Sequence, residues 1–195
     1  MRNVWYGDNR DLLKWAVLTI LAERYDANRI IQIAYFRSHK FPKVQLDGVD
    51  LEIPNAVITH LRDVRNISLI PSVQVTVFDD PFQDRAAYHA SVLSFLAKFR
   101  DESCVIFLDP DTGLEPAKPR LKHVLVREAR AIWEVLKSGE VFAFYQHRTN
   151  RAGQPWIESK RLQLERGLGL KKNSIKVANS LQLANDVVIF YALKT

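Results

Sequence analysis

The sequence has few cysteines, few glycines and no long hydrophobic run, and these shortages exclude several classes of protein. A single cysteine, Cys104, among 195 residues excludes a disulfide-stabilised scaffold, since no second cysteine can pair with it within the chain. No apolar run approaches the ~20 residues that a membrane-spanning helix needs. The first residues also lack the apolar core of a signal peptide. We therefore expect a cytoplasmic protein without a membrane partner.

The composition is that of an ordinary globular protein, with 47% hydrophobic and 26% charged residues. We expect one α/β domain over residues 1–195. The net charge is +6, which permits a polyanionic partner such as nucleic acid. Cations cluster in the basic segment 148–172, which could follow a phosphate backbone or form a solvated face. They are Arg148, Arg151, Lys160, Arg161, Arg166, Lys171 and Lys172.

Helical and strand patterns alternate along most of the chain. This order predicts a three-layer, Rossmann-like fold, in which a mainly parallel sheet has helices on both faces and ends in a C-terminal antiparallel hairpin. A smaller hairpin is expected around Asp47-Gly48. The helix over 156–167 is expected to be exposed and basic. In the first helix, beginning near Arg10 with a cap at Asp8 or Asn9, the spacing predicts one buried face. It consists of Leu12, Leu13, Ala16, Val17, Ile20, Leu21 and Tyr25.

Polar residues follow each predicted parallel strand. Asp109 and Asp111 come directly after the apolar run 104–108, which is typical of a strand buried on both faces. In open α/β sheets, ligands bind at the carboxyl edge. A strand-end aspartate can also simply cap the next helix. The other groups expected at this edge are Tyr35, Arg37, His39, Asp79, Asp80, Gln146 and His147, with the segment 6–14 folding over them.

Two short motifs and the closing hairpin support a family resemblance. Residues 7–14, Gly-Asp-Asn-Arg-Asp-Leu-Leu-Lys, are similar to the segment that opens one group of bacterial 23S rRNA adenine-N6 methyltransferases. Asp109-Pro110 occupies the place of their Asp/Asn-Pro-Pro-aromatic motif. The closing hairpin resembles the last two strands of the class I S-adenosylmethionine-dependent methyltransferase fold.

The resemblance implies a methyltransferase-like protein that acts on nucleic acid, with RNA as the candidate substrate and S-adenosylmethionine as cofactor. By this resemblance Asp109 and Pro110 accept the hydrogens of a base amino group, and Asp79 holds the cofactor ribose. Lys14 and Tyr35 then lie near the cofactor. Asp111 and His147, at the same predicted edge, complete the set of candidate catalytic residues.

The chain departs from the family pattern at two places. No glycine occurs in residues 34–39 after the first strand, where that fold normally has a glycine-rich turn. Asp111 and Thr112 stand where the family has its second proline and the aromatic residue that stacks on the base.

Two other functions remain open. Asp79, Asp80, Asp109 and Asp111 could bind Mg²⁺ in a phosphoesterase or nuclease, with His147 as general base. The segment 109–112 is also similar to the D-x-D-x-T loop of haloacid dehalogenases, although Thr112 comes one position early. The third hypothesis is a non-catalytic module that binds nucleic acid or protein.

Overall fold

The computed structural model describes residues 7–37, 41, 43–69, 73–149 and 155–195, so the predictions for His39 and Arg151 lie outside the described residues. The helices are α1 (Asn9–Arg24), α2 (Asn55–Arg62), α3 (Arg85–Leu96), α4 (Val126–Val135) and α5 (Trp156–Leu168). The strands are β1 (Arg29–Ile33), β2 (Val44–Leu46), β3 (Val49–Leu51), β4 (Gln74–Phe78), β5 (Cys104–Leu108), β6 (Gly113–Leu114), β7 (His123–Val124), β8 (Val141–His147), β9 (Lys176–Ser180) and β10 (Ala184–Leu193).

Six strands form the central sheet in the order β4-β1-β5-β8-β10-β9. The first four are parallel, with Ile31 of β1 opposite Thr76 of β4 and Ile106 of β5. Strand β10 runs antiparallel to both β8 and β9. The predicted Rossmann-like fold and its closing hairpin are therefore confirmed.

Side chains alternate between the two faces of the sheet, and each face has its own hydrophobic core. One face packs against α1, with Val105 and Phe107 of β5 in that core. The other face packs against α3, α4 and α5, with Ile106 and Leu108 on that side. The alternation directs residue 109, the next position after β5, towards α1. This direction decides the geometry of the candidate site.

Helix α1 begins as predicted, because the Asp8 side chain accepts hydrogen bonds from the backbone amides of Arg10 and Asp11. The predicted buried face is wrong in part. Leu12 and Ile20 are exposed, while Asp11 and Lys14 are buried in their place. Hydrophobic spacing missed this rotation because two charged residues face inward.

Helix α5 is also less exposed than predicted. It buries Leu164 and Leu168 in the core shared with α4. Its Gly167 lies so close to Val126 that a Cβ there would be 2.1 Å from the Val126 Cγ1 atom. The pattern of basic residues concealed this packing.

Two smaller predictions are confirmed. The β2–β3 hairpin turns at Asp47 and Gly48, whose φ angles of 52° and 79° suit a tight two-residue turn. Cys104 is buried, and burial raises the pKa of its thiol to about 12, as expected of an unreactive core residue. None of the described helices has the length and apolar character needed to cross a bilayer.

Candidate functional site

Asp109 lies at the end of β5 with a side chain almost fully enclosed, at 1% exposure. The Lys14 Nζ atom of α1 is 3.1 Å from its Oδ2 and 3.3 Å from its Oδ1. The Gln32 Nε2 atom of β1 donates to the same carboxylate over 2.8 Å. Three separate elements of the fold thus converge on one carboxyl group.

Lys14 serves two acids at once. It is ion-paired with Asp11, one turn earlier in α1, as well as with Asp109. Its Nζ atom also lies 5.1 Å from the centre of the Tyr145 ring. Burial alone would lower the pKa of Lys14, but the two carboxylates reverse that effect and hold it above its usual range.

The carboxyl group of Asp109 has a raised pKa. Burial is the main cause, and Lys14 offsets it only in part because Asp11 shares the same ammonium. A carboxyl group in this state is a better proton acceptor than a solvated one. The site therefore holds an unusually basic aspartate at the carboxyl edge.

Gln32 is fully buried in the middle of β1, and its Oε1 atom has no hydrogen-bond partner among the described residues. A buried unsatisfied acceptor costs about 1–3 kcal/mol. A polar residue in an otherwise apolar strand is explained here by its bond to Asp109. Gln32 therefore belongs to the site, on the same face of the sheet as α1.

His147 belongs to a second charged group beside the first. Its Nε2 atom lies 3.1 Å from Asp186 of β10, and its Nδ1 atom lies 3.1 Å from the backbone oxygen of Arg148. Asp186 also accepts from Arg10 over 2.6 Å. Partial burial would raise the pKa of Asp186, but Arg10 and His147 lower it below its usual value. Arg10 and Lys14, one turn apart on α1, connect the two charged groups.

The segment after Asp109 is held by its own contacts. Pro110 is buried, and Asp111 forms an ion pair with Arg37. The Gln146 side chain accepts from the Leu114 amide over 2.9 Å and donates to the Thr112 oxygen over 3.2 Å. This edge is therefore built from residues 109–114, which follow β5 and are hydrogen-bonded to Gln146 of β8.

Tyr35 lies away from the Asp109 carboxylate. Its ring is buried against Phe82 and Tyr88, each at 5.2 Å between ring centres. Its φ angle of 45° lies in the left-handed region that glycine favours. Tyr35 thus makes the turn after β1 without a glycine.

Asp79 and Asp80 follow β4, which is separated from β5 by β1. Asp79 is half-buried, and its Oδ2 atom lies 3.8 Å from the Arg65 Nε atom. Asp80 is exposed. Both border an open groove of about 500 Å³, together with Ser91 and Ser94 of α3 and Lys98 just after that helix. The structure therefore brings His147 and Asp109 to neighbouring groups and leaves Asp79 at a separate groove.

The four acids of the magnesium hypothesis do not converge. Asp109 is bound to Lys14, Asp111 to Arg37, and Asp79 lies near Arg65. Within the described ranges, no three His, Cys, Asp or Glu side chains are grouped as a metal site requires.

Much of the basic segment 148–172 is engaged internally. The Lys160 ammonium donates to the backbone oxygens of Leu114 and Glu115 over 3.3 and 2.9 Å. Arg161 is buried between Glu158 and Glu165. Among the described residues of this segment, the exposed cations are Arg148, Arg166, Lys171 and Lys172. The nucleic-acid surface expected from this segment stays a prediction, with fewer available charges than the sequence indicated.

Sequence reasoning did not single out Asp11, Gln32 or Asp186. A glutamine within the apolar run 30–36 was a usable signal, and so was an acid at the start of the last apolar strand. The i, i+3 spacing of Asp11 and Lys14 gave no sign that both point inward. Their positions depend on contacts with distant strands.

The fold and this edge define an α/β, Rossmann-like protein with a charged candidate site at the carboxyl end of its central strands. No family model matches this chain, and no curated protein does. A solved structure similar to it is the crystal structure of a DUF574 family protein from Streptomyces avermitilis MA-4680. That match has 12% sequence identity and a TM-score of 0.45, and covers 96% of this chain and 82% of the other.

Proposed function

We propose that this chain is a methyltransferase-like enzyme that acts on an amino group of a nucleic-acid base at the carboxyl edge of its sheet. The main support is the enclosed group of Lys14, Asp11 and Asp109. Burying such charges costs several kcal/mol per ion, and apolar residues of similar volume would serve stability as well. Buried, perturbed charges of this kind cluster at functional sites.

The basicity of Asp109 matches this chemistry. An amino nitrogen that gains a methyl group must lose a proton, and a carboxylate with a raised pKa can accept it. Asp109 follows the central strand β5, where the related enzymes have their Asp/Asn-Pro motif. Because Asp109 is enclosed, a base reaches it only if Lys14 and the start of α1 move aside.

The residues predicted to hold S-adenosylmethionine fit that cofactor unequally. Asp79 fits the ribose alone, because its half-exposed carboxylate borders a groove large enough for a nucleoside and can accept from two ribose hydroxyls, but that groove is separate from the Asp109 group. Tyr35 does not fit as a direct ligand, since its ring is in the core. The Lys14 ammonium is already ion-paired with Asp11 and Asp109. When bound, the cofactor supplies an electrophilic methyl group, and the chain positions the base and accepts its proton.

Isothermal titration with S-adenosylmethionine and its demethylated product tests this function. Both ligands are expected to bind, and Asp79→Ala is expected to weaken binding at least tenfold, or about 1.4 kcal/mol. Asp50→Ala, which removes an exposed acid of the β2–β3 hairpin that does not line this groove, is the matched control and should bind as the unmodified chain does.

Three results would contradict the proposal. If both variants lose the same binding affinity for S-adenosylmethionine, Asp79 is not the ribose ligand. Heat from Mg²⁺ that disappears in Asp109→Asn would favour the phosphoesterase. The absence of heat from every small ligand, beside retained RNA binding, would favour a binding module.

A further inference from the structure

We infer that the loop between β6 and β7, residues 115–122, docks the phosphate backbone of a nucleic acid, together with Arg127 at the start of α4. We call residues 115–122 the basic loop. This inference deepens the proposed function, because it assigns the surface that presents the substrate to the Asp109 edge. The surface differs from the basic segment 148–172 predicted from the sequence.

The cations of this surface are available to a ligand. The side chains of Lys118, Arg120 and Arg127 are exposed and that of Lys122 is half-buried. No acceptor in the described part of the chain bonds to any of these four side chains. Lys160, in contrast, gives its hydrogen bonds to backbone oxygens at the base of the same loop.

Hydrogen bonds hold the backbone of the basic loop in place, whereas its cationic side chains have no such bonds to the described residues. The Thr112 hydroxyl donates to the Lys122 oxygen over 2.9 Å, and the Arg120 amide donates to the His123 ring over 2.9 Å. The Arg85 guanidinium donates to the oxygens of Arg120 and His123, each over 3.2 Å. Pro116 and Pro119 restrict the backbone further. A pre-organised loop loses less entropy when it binds.

The nearby acids do not neutralise these cations. Glu115 accepts from the Val126 amide at the start of α4 over 2.7 Å. Glu128 is buried and ion-paired with Arg85. The pKa of His123 is lowered, mainly by burial. The positive charges of Lys122, Lys160 and Arg85 lower it further. With Glu115 as the acid of the loop against four cations, the surface keeps a net positive charge.

Nucleic acid fits this surface better than a lipid headgroup layer. The loop follows the Asp109 edge directly in the chain, because Thr112, whose hydroxyl bonds to the Lys122 oxygen, comes three residues after Asp109. Separate cations along a rigid loop suit a chain of phosphates, and their contacts release counterions on binding.

The test measures the affinity for a fluorescently labelled single-stranded RNA of mixed sequence between 50 and 200 mM salt. If each of the four cations meets one phosphate, they contribute about −2.8 to the slope of log affinity against log salt. This corresponds to a loss of roughly 50-fold over that range. In the variant K118Q/R120Q/K122Q/R127Q, the slope is expected to be shallower by about that amount.

The matched control is R166Q/K171Q/K172Q/K176Q, which removes four other exposed positive charges from the net charge of +6. It should keep most of the salt dependence. Thermal melts establish that both variants fold, which is expected because the replaced side chains make no hydrogen bond or ion pair with any described residue.

The inference is overturned if the unmodified chain does not bind RNA, if both variants lose the same slope, or if only anionic vesicles bind the loop. If the chain binds S-adenosylmethionine but not RNA, only the inference about the docking surface is overturned. If the loop binds RNA but the chain does not bind the cofactor, only the methyltransferase proposal is overturned.

Discussion

Replacing Lys14 with methionine is expected to lower the free energy of unfolding by about 3–5 kcal/mol, the usual cost of breaking a buried ion pair. The reason is that Asp109 and Asp11 would remain enclosed without a cation. In a chain of this length, such a loss lowers the melting temperature by roughly 10 °C. Urea denaturation monitored by circular dichroism measures it directly.

The reciprocal change serves as the control. Asp109→Asn keeps an oxygen that accepts from Gln32, and Lys14 still pairs with Asp11. Because one ammonium then serves one carboxylate, the expected loss is only about 1 kcal/mol. Equal losses in the two variants would mean that the acids do not compete for Lys14.

The loss of unfolding free energy in the Lys14→Met variant should become smaller as the pH falls. Burial raises the pKa of Asp109 above its unfolded value, so the folded state binds a proton more readily than the unfolded state. Stability then falls as the pH rises from about 4 through the raised folded pKa, and it returns on acidification. Without Lys14 that pKa rises further. We therefore expect the difference from the unmodified chain to be smaller at about pH 5 than at about pH 7. A difference that does not change with pH would exclude Asp109 as its source.

The sheet could be predicted because its strands are nearly continuous apolar runs. Residues 104–108 and 141–145 are buried on both faces, and a strand of that kind has no competing helical period. The apolar run in the last strand, β10, followed from the same reasoning. The two-residue strands β6 and β7 were missed, since pairing over so few residues leaves no pattern in the sequence.

The site was only partly predictable, because its charges are placed by contacts between distant residues. Asp109 and His147 were found from their strand ends. Their partners Lys14 and Asp186 lie far away in sequence, and the inward rotation of α1 that delivers Lys14 contradicts its hydrophobic spacing. Lys160 in the basic segment shows the same limit. Composition counts it as a free cation, although it binds backbone oxygens.

Gly113→Ala is expected to lower the free energy of unfolding by about 3 kcal/mol, through two separate costs. The φ angle of Gly113 is +113°, which strains a residue with a side chain by about 1–3 kcal/mol. The added Cβ would also lie 2.4 Å from the Gln146 Oε1 atom. Gln146 is fully buried, so moving it breaks its bonds with Leu114 and Thr112.

Gly139→Ala separates the two costs. Gly139 has a comparable φ of +89°, but nothing lies within 4 Å of a Cβ built there, so only the backbone cost applies. The loss at Gly113 should therefore exceed the loss at Gly139 by about 1–3 kcal/mol, the cost of leaving the Leu114 amide unsatisfied. Urea denaturation of both variants gives this difference. Equal losses would mean that Gln146 moves aside freely, and that its bonds do not fix the segment joining Asp109 to the basic loop.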